Sequence, residues 1–459
     1  DWSSDVCSSD LDNHKYGDYG SYLYKSEDKG VTWKSIANNL PERTLLWRVV
    51  QDHEQKDLLF LGTEFGVYFS QDGGTSWNKL KGGMPNIPAR DLAIQKREND
   101  LVVGTFGRGI YILDDYSSLR SFDGSNKTTE AQLFTPRDGR LYAQRKSLGG
   151  SKKAAQGDNF FVADNPPYGV EFSYYLKENY KSKKEQRVEA EKQMVKDGVT
   201  VKVPEWNILE AEINEIAPMV LLFIYDANGN IVRKVKCNNK AGIQRVSWDL
   251  LSEAAYTVSS VKENQKQKGY EVGAGTYTAQ LFKNIEGNYA AIGNKVSFEV
   301  KQFNESSLAE ASPEKAEEHM KNVHAMLVKI NDLEWYIKDT KNIISNMLIA
   351  YERAKATNEK LHGELLELRT KILVLEETIR GSKARSSVGE KNEYPSIKDY
   401  LWAANGISTT YGPTASHIKY LDNATRLFNE LEAKFNRIKE SLIPIQDGLD
   451  KIEAPAVRN

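Results

Sequence analysis

The sequence predicts a multidomain β + α protein with three regions. These are a partial β-propeller, a β-sandwich and a C-terminal antiparallel helical hairpin or bundle. Three observations predict this order. A segment with a turn in it occurs twice near the start, short strand-like runs with turns between them fill the middle, and apolar stripes at helical spacing fill the end.

The repeated segment begins at Ser26 and again at Ser70, 44 residues later. An aspartate in such a turn can accept backbone N–H bonds, and a glycine allows positive φ. The tryptophan can fold back over the turn as an apolar lid. A repeat of this length indicates four-stranded blades around an axis. The shared pattern S-x-D-x-G-x-[TS]-W consists of Ser26, Asp28, Gly30, Thr32 and Trp33, and of Ser70, Asp72, Gly74, Ser76 and Trp77.

Residues 12–135 are predicted to be the last blades of a truncated propeller. The segments 62–66 and 104–107, both beginning Gly-Thr, mark the same position in successive blades. Asp114-Asp115 stands where a third turn is expected, without its glycine and tryptophan, as suits a final blade. About two and a half blades cannot close a ring, because propellers have about four to eight.

Residues 1–11 read DWSSDVCSSDL. This string resembles the translation of a sequencing-library adapter, and it has neither the basic start nor the apolar stretch of a secretion signal. We therefore expect residues 1–11 to be an artefact and the chain to be the C-terminal part of a longer reading frame.

The middle of the chain is predicted to be a linker at 136–158 and a sandwich at 159–301, with a charged, solvated helix inserted near 180–200. The first predicted strand is Phe160–Val162. Later motifs read Tyr-Asp-x-x-Gly from Tyr225, Val-x-Trp-Asp from Val246 and Ala-Gly-x-Tyr from Ala274. Their order resembles the immunoglobulin-like module of flagellar-hook-assembly proteins and of many secreted bacterial enzymes.

Residues 306–459 are predicted to be helical. Ser312, Pro313 and Glu314 form a helix start, with a capping hydroxyl, a proline in the first turn and an acid at the positive end of the dipole. Three apolar stripes favour helices that pack on each other within the chain, and an intermolecular coiled coil is the alternative. The stripes are Val323, Leu327, Ile330, Leu333 and Ile337; Leu361, Leu365, Leu368, Ile372, Leu375 and Ile379, ending at Gly381; and Leu421, Ala424, Phe428, Leu431, Phe435, Ile438 and Leu442.

Composition excludes several classes of function. A net charge of -2 and a pI of about 6.4 argue against a nucleic-acid partner. The apolar run Met219–Tyr225 is far too short to cross a bilayer. Cys237 is the one cysteine outside the suspected artefact, and the six histidines lack metal-ligand spacing. We expect no metal and no cofactor.

The best candidates for ligand binding are Arg108, Glu64 and Asp91. Two glycines flank Arg108, and a guanidinium can clamp carboxylate or sugar oxygens. A structural pairing of Arg108 with Asp114 or a nearby carbonyl is the alternative. A glycoside hydrolase needs two carboxylates about 5 to 10 Å apart. In the predicted blades of this sequence, the candidate catalytic acids are Glu64, Asp91, Asp114 and Asp115.

The two turns, with the run Gly-Thr-Phe-Gly-Arg-Gly-Ile-Tyr-Ile-Leu-Asp-Asp from Gly104, resemble the Asp-box (BNR-repeat) proteins. This group includes glycosyl hydrolase-like and sortilin-like β-propellers of bacteria. The resemblance implies that the turn is structural and that the protein is secreted, periplasmic or at the cell surface. The arginine triad of sialidases and their Phe/Tyr-Arg-Ile-Pro motif do not occur in the sequence.

Two functions follow from this resemblance. In the first, the chain is part of an exported propeller protein that binds a glycan or a peptide, with the C-terminal domains as scaffold. In the second, it belongs to a glycoside hydrolase whose catalytic acids lie in blades upstream of this sequence. The sequence does not decide between them, and it does not fix the oligomeric state.

Overall fold

The computed structural model describes residues 7–11, 13–122, 129–142, 144, 159, 166–258, 268–303, 311–405 and 412–457. Over these residues the chain is a mixed β and α protein with several antiparallel sheets and long C-terminal helices. It divides into two compact units. The first unit comprises Asp1–Thr135 and Ser173–Glu178, and the second comprises Pro136–Phe172 and Asn179–Asn459.

The first unit contains three consecutive antiparallel sheets. They are β1 (Cys7–Leu11), β2 (Tyr22–Ser26) and β3 (Lys34–Ser35); β4 (Leu46–Gln51), β5 (Leu59–Thr63), β6 (Gly66–Ser70) and β7 (Asn78–Lys79); and β8 (Ala89–Gln95), β9 (Asp100–Thr105) and β10 (Ile110–Leu113). In each sheet, strands that are neighbours in the chain also pair. Such a series of antiparallel meanders is consistent with a partial propeller-like fold.

The middle sheet is covered on both faces, which explains its apolar strands. Every residue of β5 and β6 is buried. Because side chains alternate along a strand, Phe60 joins one apolar cluster while Leu59 and Leu61 join the other. One cluster contains Leu23 of the first sheet, and the other contains Leu92 of the third sheet. The sheets of the first unit are therefore stacked face to face.

The third sheet ends differently from the first two. At the position where a third turn was expected, Asp115 has a φ of +44° and its carboxylate accepts the Ser117 hydroxyl at 2.6 Å. A short helix, α1 (Ser118–Ser121), follows. Farther on, β11 (Ala131–Leu133) pairs antiparallel with the end of β13 (Val170–Leu176).

The second unit contains a five-stranded sheet. Its order in space is β12 (Gly139–Leu141), β18 (Asn288–Gln302), β17 (Gly275–Ile285), β14 (Met219–Tyr225) and β15 (Ile231–Lys236). A further strand, β16 (Gly242–Trp248), lies between β15 and β17 in the chain and is not part of this sheet. The strand β12 lies in the segment 136–158 that we predicted to be a linker, and it pairs parallel with β18. Three residues are too few to show strand periodicity, which is why the sequence did not reveal it.

An aromatic group fills the core beneath this β structure. Trp248 is fully buried and contacts Tyr277 and Phe298, and Phe172 meets Phe298 edge to face. The predicted strand Phe160–Val162 lies outside the described residues, as do positions 145–158 of the predicted linker. The immunoglobulin-like topology stays a prediction.

The segment near 180–200, predicted to be a charged helix, contains α2 (Lys183–Lys196), and a second exposed helix, α3 (Trp206–Ile213), follows beyond the predicted bounds. Neither helix contains a buried residue, as expected for a solvated segment. Ser182 and Glu185 form a capping box at the start of α2.

The remaining helices are α4 (Pro313–Glu352), α5 (Glu359–Arg380), α6 (Lys383–Ser387), α7 (Ile397–Asn405) and α8 (Ala415–Lys451). Ser312 caps α4 through its hydroxyl, with Pro313 as the first helical residue. Gly381, with a φ of +83°, ends α5. Residues from all three predicted stripes share one buried cluster, so the stripes of α4, α5 and α8 pack within the chain.

Candidate functional site

The first repeated turn is closed by its serine and aspartate. The amide of Gly30, which has a φ of +89°, donates to the Ser26 hydroxyl at 2.7 Å. The Asp28 carboxylate accepts the Thr32 amide at 2.8 Å and the Thr32 hydroxyl at 2.6 Å. These bonds, the Thr32 hydroxyl first, lower the pKa of Asp28 to about 2.

The second turn has the same bonds. Gly74, with a φ of +94°, donates to Ser70 at 2.8 Å, and Asp72 accepts the Ser76 amide at 2.8 Å. The Ser76 hydroxyl completes the set at 2.5 Å from Asp72. These bonds of each aspartate are made within its own turn, and the structural role of the repeat stays a prediction.

The two tryptophans lie in different surroundings. Trp33 is 47% exposed, and its indole Nε1 donates to the Gly30 carbonyl of its own turn at 3.1 Å. Trp77 is only 3% exposed, and its Nε1 donates at 2.7 Å to the carbonyl of Ile36, which follows the first sheet. We expected both rings to cover their own turns. Trp77 packs into a buried apolar cluster that includes residues of the first sheet.

The predicted binding residues lie at the opposite end of the strands from these turns. The β6 strand ends at Ser70 of the second turn, whereas Glu64 lies in the β5–β6 turn at the start of that strand. Arg108 occupies the corresponding turn between β9 and β10. Asp91 lies near the start of β8. This end of the second and third sheets is therefore the candidate site.

A β-bulge occurs at this end of both sheets. The register of β4 with β5 shifts between Leu46 and Arg48, and that of β8 with β9 shifts between Ala89 and Asp91. The extra residue is Trp47 in the first case and the aligned Arg90 in the second. Bulges redirect side chains and are common next to active sites. The fold therefore presents an indole and a guanidinium at equivalent positions.

These two side chains are the centre of a group that we call the Trp47 cluster: His14, Trp47, Glu64, Arg90 and Phe106. The Trp47 Nε1 donates to the Glu64 carboxylate at 3.1 Å. The Arg90 guanidinium carbon lies 3.5 Å from the centroid of the Trp47 ring and 5.4 Å from that of Phe106. The His14 ring meets Trp47 edge to face at 5.8 Å. The cluster thus combines a carboxylate, a guanidinium over an indole ring, and aromatic rings.

The three predicted binding residues relate to this cluster in different ways. Glu64 belongs to it. Asp91 follows Arg90 in the chain, but its carboxylate faces Arg48 at 3.5 Å. Arg108 is exposed in the turn that also carries Phe106, between glycines with φ of +83° and +74°.

Sequence reasoning missed Trp47, Arg90 and Phe106. The signal was available in the repeat, because Leu46-Trp47-Arg48 and Ala89-Arg90-Asp91 open equivalent strands. The bulge itself has no sequence signature here, since it depends on how each strand meets its neighbour.

A second polar group, also missed, lies in the β4–β5 connection. The Asp52 carboxylate is fully buried and takes two bonds from the Arg120 guanidinium, at 2.7 and 2.9 Å. It also accepts the Tyr116 hydroxyl at 2.6 Å. Burial raises the pKa of Asp52, but these bonds outweigh that effect and bring it to about 2. All its acceptor positions are used, so this group fastens α1 to the second sheet.

The described residues show no candidate metal site. They contain no group of three histidine, cysteine or acidic side chains arranged to hold a metal ion. The buried Cys237 forms no disulfide within the described residues, and its thiol donates to the Val235 carbonyl at 3.7 Å. None of the described helices has both the length and the apolar character needed to cross a bilayer.

Comparison with known proteins gives distant structural matches only. No family model and no curated protein matches the sequence. The extracellular domain of a one-component system from B. thetaiotaomicron is 11% identical, with a TM-score of 0.17, over 61% of this chain and 28% of that one. The GH74 xyloglucanase from Xanthomonas campestris is 10% identical, with a TM-score of 0.18, over 62% and 28%. An ancestral GH74 enzyme is 10% identical, with a TM-score of 0.16, over 59% and 38%. The chain thus spans less than two fifths of the length of each of these proteins.

Proposed function

We propose that the chain is part of an exported Asp-box propeller protein and that the Trp47 cluster binds a glycan, with preference for sugars that carry a carboxylate. One observation supports this most directly. The Arg90 guanidinium carbon lies over the Trp47 ring, 3.5 Å from its centroid, at an exposed end of the sheets.

The Arg90 guanidinium is suited to a planar anion. A guanidinium can contact an aromatic ring through its face and still offer its N–H donors for a bidentate contact with a carboxylate. Among the described residues, no hydrogen bond or ion pair occupies those donors of Arg90. Arg108 is also exposed in the next turn, and it would add a second cation for the same ligand.

The aromatic rings and Glu64 suit the rest of a sugar. Phe106 is 67% exposed and Phe65 is 46% exposed, and the apolar face of a sugar ring can stack on such rings. The Glu64 carboxylate can accept hydroxyl donors in addition to the Trp47 indole N–H. A peptide with an acidic residue is the alternative ligand, but it would not need ring stacking beside the guanidinium.

Binding would be tested by calorimetry of the full chain with uronic-acid oligosaccharides, their neutral counterparts and acidic peptides. We expect the acidic oligosaccharides to bind, more weakly as salt is raised. Arg90→Ala should weaken binding by about tenfold or more, because a charge-assisted pair is lost. The matched control is Arg97→Ala, which removes another exposed arginine near the far end of β8 and should change nothing.

Three outcomes decide between the functions. Equal affinity for neutral and acidic sugars would contradict the proposal that Arg90 recognises a carboxylate. Binding of acidic peptides alone would favour the peptide ligand. Cleavage of the bound oligosaccharide would favour the hydrolase. In that case Glu64→Gln tests whether Glu64 takes part in the cleavage, because the substitution keeps the shape of the side chain and removes its charge.

A further inference from the structure

A groove between α5 and α8 in the second unit reaches the core of the helical bundle. Its volume is about 370 Å³, within the range of about 300 to 1,000 Å³ that is typical of ligand pockets. Its lining includes Leu368, Leu375 and Ile438, which belong to the buried core. Val374 also lines the groove and is 55% exposed. The groove therefore leaves apolar surface open to water.

Cationic side chains stand beside this apolar lining. Lys371, Lys434 and Arg437 line the groove, and Lys371 pairs with Glu367 at 2.7 Å. In the described part of the chain, Lys434 and Arg437 have no ion-pair partner. Some other cations of α5 and α8 are paired, as Arg380 is with Glu334 and Arg426 with Glu430, whereas Arg369 and Lys419 have no ion pair among the described residues.

We propose that this groove binds a single-chain anionic amphiphile, namely a fatty acid. The alkyl chain would lie against Leu368, Val374 and Ile438, and the carboxylate would pair with Lys434 and Arg437. Charge and apolar lining together select this class. A neutral lipid would leave both cations without partners, and a small hydrophilic anion would leave the apolar lining in water.

The test uses the full chain and the fluorescent fatty acid cis-parinaric acid, displaced by dodecanoate below its micelle concentration. We expect one saturable site per chain. The double variant Lys434→Glu/Arg437→Glu should weaken binding by about tenfold or more. The matched control, Lys315→Glu/Lys338→Glu, makes the same charge change at exposed positions of α4 and should bind like the unchanged chain.

A second variant separates loss of binding from loss of folding. Ser441→Trp places a large ring in the groove, where Ser441 is only partly buried, and should abolish binding while circular dichroism keeps the helical signal. The proposal is overturned if the unchanged chain shows no saturable site. It is also overturned if dodecanol displaces the probe as well as dodecanoate does, or if the control and the groove variants lose affinity equally.

Discussion

The turns at Asp28 and Asp72 have the same internal hydrogen bonds but different neighbours. In both, the serine hydroxyl accepts the glycine amide and the aspartate accepts two bonds from the threonine or serine. Trp77, however, is buried against the residues that follow the first sheet, whereas Trp33 remains half exposed. The local motif therefore fixes the turn, and the neighbouring sheet fixes the environment of the ring.

A pair of asparagines accounts for part of this difference. The Asn39 side chain accepts the Trp77 amide at 2.7 Å and donates to the Trp77 carbonyl at 2.9 Å. Asn38 donates to the Thr75 carbonyl at 3.2 Å. The corresponding connection after the second sheet contains Gly82 and Gly83, and the third sheet has no tryptophan of this kind. In this chain, the asparagines and the buried tryptophan occur together.

The largest effect is expected for Trp77→Ala. Removing a ring that is 97% buried leaves a cavity between the first and second sheets and should cost about 3 to 5 kcal/mol. Urea unfolding followed by hydrogen exchange of peptides from residues 22–79 would measure the loss in this region. A loss of stability below about 1 kcal/mol would show that neighbouring residues fill the cavity left by the ring. The difference in stability effect between Trp77 and Trp33 would then disappear.

The next largest effect is expected for Asp72→Ala. This change removes an ionised acceptor of the Ser76 and Ser70 donors, and its cost should be about 2 kcal/mol. The same hydrogen-exchange measurement applies. Asp28→Ala should loosen its own turn in the same way, because its bonds are the same. Each variant should reduce hydrogen-exchange protection in its own turn. If only one of the two variants does so, the two turns are not equivalent.

The contribution of Asp72 to the free energy of unfolding should depend on pH. Burial raises the pKa of Asp72, but the bonds from Ser76 and Ser70 outweigh it and lower the pKa overall. The unfolded chain therefore binds the proton more readily than the folded chain does. The stabilisation is present above about pH 4 and is lost as the pH falls through the folded pKa. The difference between the unchanged chain and Asp72→Ala should accordingly shrink below pH 4.

These local effects separate what the sequence predicts from what it does not. The turn bonds of Asp28 and the end of α5 at Gly381 follow from short-range geometry, so spacing alone is enough to expect them. The helical stripes repeat over many residues, which makes their shared core predictable.

The candidate site depends on contacts between elements that are distant in the chain. Trp47 and Glu64 meet across two strands, and Arg90 reaches Trp47 from the next sheet. The Asp52–Arg120 pair joins residues 68 positions apart. The repeat marks Trp47 and Arg90 as equivalent positions, but no local pattern encodes which distant side chains they meet. The strand β12 was missed for the same reason, since its three residues gain order only by pairing with β18.

A smaller effect is expected for Asn39→Ala, which removes the two bonds to the Trp77 backbone. Asn39 is itself exposed, so water can replace part of what is lost, and the cost should be about 1 kcal/mol. Asn38→Ala is the matched control, because it removes one longer bond to Thr75 and should cost less. If both variants match the unchanged chain in urea, the apolar contact alone holds the two sheets together here.

The smallest effect is expected for Trp33→Ala. The ring is 47% exposed and contacts mainly its own turn, where it donates one bond to the Gly30 carbonyl. Substitution should therefore change the stability of the chain by about 0.5 kcal/mol, as is usual at surface positions. The measurement is the urea midpoint of the full chain at two protein concentrations. A loss close to that of Trp77→Ala would mean that Trp33 is covered in solution. Dependence of that loss on protein concentration would then identify a second copy of the chain as the cover, because only an intermolecular contact responds to mass action.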